Sequence, residues 1–199
     1  MPPKTVHLAM YNGYADWESG HITAELADHG YTVRTVALDP AHPLTTKGGL
    51  RVLPDLALAD LRPEDSALLI LTGSALWDAT PDLAPFAAAA RTFLDAGVPV
   101  AAICGATAGL AREGLLDDRP HTSNVSFYLD ATGYQGSAHY VDTDALTDGD
   151  LITANSTQPE AFAREILRRL DVFPPEKLDA WYRLFHDSDP AAYEVLTAS

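Results

Sequence analysis

Apolar residues fall into short continuous runs along this chain, and each run stops at a cluster of turn formers. Residues 5–10 (TVHLAM) end at Tyr11, Asn12 and Gly13; residues 66–71 (SALLIL) end at Thr72, Gly73 and Ser74; residues 98–103 (VPVAAI) end at Cys104. Runs of this length without alternation predict strands buried on both faces. Between them the apolar period lengthens to that of a helix. Asp16 stands at an N-cap position, Ile22, Ala24, Leu26 and Ala27 form an apolar face, and Gly30 follows the end. A second strand is predicted over 31–38, and Lys47, Gly48 and Gly49 within 44–53 predict a turn or hairpin. Helices are predicted over 83–96, closed by Gly97, and over 106–113. Thr157 and Glu160 make a capping-box pattern ahead of a helix over 162–170. Pro174 and Pro175 open a C-terminal helical extension, 174–199. Its stripe of Leu178, Trp181, Tyr182 and Phe185 is suited to packing within the chain or at a subunit interface.

Strands alternating with helices predict an α/β fold with a mostly parallel sheet and helices on both faces. No repeat or linker divides the 199 residues, so one domain spanning 1–199 is expected. With 47% apolar residues a disordered chain is excluded. The balance of 13 Lys and Arg against 28 Asp and Glu gives a net charge of −15. Such a surface repels nucleic acid and anionic lipid. No apolar run approaches the roughly 18 residues of a spanning helix, and residues 1–4 lead straight into a strand without a signal-peptide pattern. A cytoplasmic protein with a small-molecule substrate is the expectation.

Cys104 is the single cysteine, so neither an intrachain disulfide nor a thiolate zinc site is expected. The seven histidines lack a metal-binding spacing, and Glu18 with His21 makes only one Glu-x-x-His pair, a motif that bundle metal sites use twice. No metal and no cofactor are predicted.

The chemistry concentrates in residues 98–111, VPVAAICGATAGLA. A strand runs into a sharp turn holding Cys104, and a helix begins at once. This is the arrangement of a nucleophile elbow with Cys in place of Ser, and Gly105 and Ala106 are small as such a turn requires. Amide groups of the following helix are expected to lower the thiol pKa below about 8.5. Sites in open parallel sheets form beyond the carboxyl ends of strands. Two further loops leave such ends: 11–18, which carries Trp17 and Glu18, and 72–77, where the amides of Gly73 and Ser74 suit an oxyanion.

A Glu early in the first helix combined with an Ile103-Cys104-Gly105 elbow resembles the ThiJ/PfpI superfamily. Residues 114–123 (GLLDDRPHTS) resemble that family's segment after the elbow, and residues 148–154 (DGDLITA) its late strand. The tail LDAWY (178–182) is similar to a bacterial subgroup of unsettled function. The resemblance implies a three-layer αβα sandwich of the flavodoxin-like, class I glutamine-amidotransferase-like kind, and a homodimer. It implies Cys104 as reactive thiol, a protonated Glu18 hydrogen-bonded to the sulfur, and amides of Gly73 and Gly105 beside it. Protease-like members place a His directly after the cysteine, where this chain has Gly105. Deglycase-like members place one after a Thr-Ser pair, where this chain has Asn124. Asn124, His121 and Trp17 are the candidate substrate contacts, and His121 reads equally as a surface-loop histidine.

Three functions are thereby expected in descending order. The first is a cysteine-dependent enzyme acting on a small electrophile: a 2-oxoaldehyde or its adduct, an amide, or an isonitrile. The second is a redox-sensing stress protein whose Cys104 is oxidised to sulfinate. The third is a binding domain without turnover. Protease activity is not expected, because neither familiar His base is present.

Overall fold

The computed structural model describes residues 4–198. Its strands are β1 (Thr5–Ala9), β2 (Thr32–Ala37), β3 (Leu44–Thr45), β4 (Arg51–Val52), β5 (Leu56–Ala57), β6 (Leu68–Leu71), β7 (Val100–Ile103), β8 (Ala145–Asp148) and β9 (Leu151–Ala154). Its helices are α1 (Asp16–Asp28), α2 (Leu76–Ala79), α3 (Ala84–Asp95), α4 (Gly105–Arg112), α5 (Ser126–Asp130), α6 (Pro159–Arg169), α7 (Pro175–His186) and α8 (Ala192–Thr197). Seven strands form one sheet in the order β5-β2-β1-β6-β7-β9-β8. Only β8 runs antiparallel, against β9. The continuous apolar runs are its centre: every residue of β6, β7 and β9 is buried.

Layers of helix flank the sheet. α1 packs with α6, and α3 with α4. Ile22, Leu26, Phe162 and Ile166 come from the first pair, and Phe86, Phe93 and Leu110 from the second, all at 1% exposure or less. Burying each such side chain stabilises the fold by about 1.5–3 kcal/mol, which is why these runs cannot sit at an edge.

Chain order decides where the site lies. From β1 the chain moves outward to β2 and β5, then returns to β6 on the other side of β1. β1, β6 and β7 are therefore adjacent and parallel, with Val6 opposite Leu68 and Leu69 opposite Val100. Their carboxyl ends bring the loops 11–15, 72–75 and Cys104 together at the point where the strand order reverses.

Several local expectations are corrected. Asp16 is the first residue of α1 rather than its cap; Ala15 takes that position, and Asp16 Oδ2 accepts the Gly48 N–H at 2.6 Å. A long-range partner has replaced a local one. The Thr157 capping box does not form either. Pro159, which has no N–H to lose, starts α6 after Gln158, and Thr157 is bonded to Asn155 Oδ1 through its N–H and hydroxyl at 3.0 and 3.2 Å. Leu178 and Trp181 of the α7 stripe pack within the chain, Trp181 at 1% exposure with its Nε1 donating to Glu25 Oε1 of α1 at 2.8 Å, while Phe185 stays exposed. Lys47, Gly48 and Gly49 do form the turn of a hairpin, β3 against β4. Among the described residues no helix is long and apolar enough to cross a membrane.

Candidate active site

Cys104 joins β7 to α4 with φ 61° and ψ −129°. A side chain rarely adopts that backbone, and it persists only where the surroundings over-determine it. Here the Cys104 N–H donates to the Ala154 carbonyl at 3.2 Å. Its own carbonyl accepts from the Thr107 N–H at 3.1 Å and the Thr107 hydroxyl at 2.6 Å. The small residues after it are needed for packing. A Cβ on Gly105 would stand 3.1 Å from the Ser74 carbonyl oxygen, and one on Gly109 would stand 2.2 Å from the Trp77 ring.

Glu18, in the first turn of α1, turns into the same space and is 1% exposed. It and the sulfur meet across Gly73. A Cβ on Gly73 would lie 2.7 Å from Cys104 Sγ and 2.8 Å from Glu18 Oε1, so only glycine leaves thiol and carboxyl facing one another. Glu18 Oε2 accepts the Gly73 N–H at 2.6 Å. Oε1 has no nitrogen or oxygen partner and is left facing the Cys104 thiol. Gly73 was expected to supply an oxyanion amide; the carboxyl group has taken that N–H instead. The Ser74 N–H, by contrast, donates to no acceptor among the described residues, and the Gly105 N–H faces the sulfur.

Burial pushes Glu18 up to about 7, against the pull of the Gly73 N–H, Cys104 and the Lys47 charge. Burial also pushes the Cys104 thiol up to about 11, reinforced by the charge of Glu18 and the hydrogen bond to it, and opposed by the Gly105 N–H and Asn124. The expectation of a thiol acidified by its helix is thus corrected. Desolvation outweighs two donors.

Asn124 directs Nδ2 at the sulfur, 3.8 Å away, and its orientation is fixed because Oδ1 accepts the Ser156 N–H at 3.1 Å. An amide so held donates but takes no proton near neutral pH. Gly13, Trp17, Lys47, Asp78 and Tyr128 join Cys104, Glu18, Gly73, Ser74, Gly105 and Asn124 around a cleft of about 200 Å³. His121 is not part of it. Buried rather than on the surface, it pairs Nδ1 with the Arg119 carbonyl at 2.8 Å and Nε2 with the Tyr134 hydroxyl at 3.2 Å. No histidine lines the cleft among the described residues. His21 pairs with Glu160 at 3.4 Å instead of joining Glu18, and the described residues hold no group of three metal-binding side chains.

Lys47, Asp78 and Tyr128 were not foreseen. Lys47 arrives on the β3–β4 hairpin, which the 11–16 segment holds through Gly13 N–H to Thr45 O (2.9 Å), Lys47 N–H to Tyr14 O (2.7 Å), Thr45 N–H to Asn12 Oδ1 (3.0 Å) and the Asp16 bond to Gly48. Its ammonium lies 5.2 Å from the Trp17 ring centroid. Also on the lining, the Tyr128 hydroxyl donates to Asp78 at 3.0–3.1 Å. The 72–77 loop was identified as a site loop, and Asp78 directly after it was the one signal available; Lys47 and Tyr128 reach the cleft through long-range packing.

The chain matches the DJ-1/PfpI family over residues 4–169. It is 36% identical over 201 residues to the uncharacterized protease YoaZ of Bacillus subtilis, covering 96% of this chain and 94% of that one. A thiJ/pfpI family protein from Bacillus anthracis has a crystal structure that superposes with a TM-score of 0.93 at 36% identity, covering 98% of this chain and 96% of the other. A more distant relative, Deglycase TK1284 of Thermococcus kodakarensis, is 24% identical over 143 residues, which are 72% of this chain and 84% of that one. With the elbow, the facing glutamate and a parallel sheet that collects both at one end, the chain belongs to the DJ-1/PfpI family.

Proposed function

We propose that this protein is a cysteine-dependent enzyme acting on small carbonyl electrophiles, 2-oxoaldehydes or their adducts, with Cys104 as nucleophile and Glu18 as proton carrier. One observation carries the reading: a thiol and a carboxyl group face each other across Gly73 in a small cleft, with the carboxyl poised at about 7. General acid–base groups work best with a pKa near the operating pH. A relative named as a deglycase supports an adduct as substrate. The homodimer implied by the family resemblance belongs to the same proposal.

In the addition step the thiol proton passes to the Glu18 carboxylate while sulfur bonds to the aldehyde carbon. The carbonyl electron pair moves onto oxygen, which on this reading accepts from the Ser74 and Gly105 N–H groups. Glu18 then returns the proton to that oxygen, giving a hemithioacetal with nothing lost or gained. A neutral thiol needs such a base, so a raised thiol pKa is compatible with turnover. The same raised pKa weighs against an oxidation sensor, since the thiolate is the species that oxidants attack. A cleft of about 200 Å³, below the roughly 300–1,000 Å³ of drug-sized sites, and a lining without histidine also weigh against proteolysis.

The test is a turnover panel of methylglyoxal, a methylglyoxal-derived adduct, small amides, isonitriles and casein. Consumption of the first two is expected, with the activity lost in Cys104→Ser and reduced about 10²-fold or more in Glu18→Gln. Full activity in Cys104→Ser, or cleavage of casein alone, overturns the proposal.

A further inference from the structure

We propose that the cleft prefers electrophiles bearing a carboxylate next to the reacting carbon, with Lys47 as the residue that recognises it. This deepens the functional reading by naming a substrate class for the same site. Lys47 is the one cation among the residues lining the cleft, and it makes no ion pair with any described carboxylate. The Asp78 carboxylate is already engaged: its two oxygens share the one hydroxyl proton of Tyr128, and Arg112 lies 3.4 Å away. An incoming anion therefore finds in the cleft one ammonium free of an ion pair, beside the carboxyl groups of Glu18 and Asp78.

The position of Lys47 is built rather than incidental. Four hydrogen bonds tie its hairpin to the segment that carries Glu18, and the Trp17 ring holds the ammonium over its face. Its charge reaches the reacting pair, since it acts on Glu18. The rest of the surface, at a net charge of −15, repels anions, so selection for a carboxylate has to be local.

Alkylation of Cys104 separates this from the reaction chemistry. Iodoacetate and iodoacetamide both place carbon on Sγ, expel iodide and release the thiol proton through Glu18 to water; they differ in one carboxylate. The full chain is treated with each at pH 8, and modified Cys104 is followed by mass spectrometry. The rate ratio of iodoacetate to iodoacetamide is expected to fall about fivefold in Lys47→Met, to be kept in Lys47→Arg, and to fall with added salt only where the charge is present. Iodoacetamide reports any general disturbance of the cleft. An unchanged ratio in Lys47→Met overturns the proposal. If the ratio responds while no aldehyde is consumed, anion recognition stands and the proposed reaction fails.

Discussion

A buried carboxyl group costs stability, and Glu18 carries that cost beside the chain's single cysteine. Its folded pKa of about 7 lies above the ordinary 4.5, so between those values the folded state holds a proton that the unfolded chain has released. Stability therefore falls as pH rises through that window and is level above it, by a total on the order of 3 kcal/mol. Glu18→Gln removes the titration. Thermal unfolding should show the variant gaining on the parent between pH 4.5 and pH 8; a parent that gains on the variant over that range would mean the carboxylate is not buried at a loss. The sequence pattern placed Cys104 at a strand-to-helix turn, whereas the facing position of Glu18 was implied by the family resemblance, since a carboxylate in the first turn of a helix is by itself a solvated group. The role of Gly73 was not legible, because a side chain far along the sequence competes for its N–H. The direction of the thiol shift was missed for a related reason: helix amides are visible in a local pattern, whereas the depth of burial is set by the whole sheet.

At the scale of elements, the pattern of buried runs located the central strands, since β6 and β7 have no solvent face to encode. Boundaries shifted where another bond competed with the cap: a distant one for Asp16, to Gly48, and a local one for Thr157, to Asn155. The α7 stripe was readable as apolar, but its target was not. Trp181 closes α1 and α6 from outside, with its ring against His21 and Phe185 at centroid distances of 5.9 and 5.0 Å. Trp181→Ala should lower the free energy of unfolding by about 3–5 kcal/mol in urea titrations, without altering the alkylation rate of Cys104 in the folded protein. A loss below about 1 kcal/mol, the range of surface changes, would mean that α7 does not cover the core.

Over the whole molecule, one topological fact organises the rest: reversal of strand order beside β1 gathers three loops, which bring Glu18, Gly73 and Cys104 together. The fold class was legible from strand and helix alternation; the strand order that creates the cleft was not, because a chain pattern does not say on which side of β1 the return to β6 falls. The cleft also carries a consequence for pH dependence. With the carboxyl raised to about 7 and the thiol to about 11 by burial, a rate limb near neutrality is expected from Glu18 in place of a histidine. The most direct measurement is the rate of Cys104 alkylation by iodoacetamide from pH 5 to pH 10, in the parent and in Glu18→Gln. In the parent the rate should rise through about pH 7 as Glu18 becomes able to take the thiol proton, and rise again toward the thiol pKa; in Glu18→Gln the first rise should be absent. A limb near pH 7 that survives in Glu18→Gln would assign the base to another residue and contradict the Cys104–Glu18 pair as the centre of the chemistry.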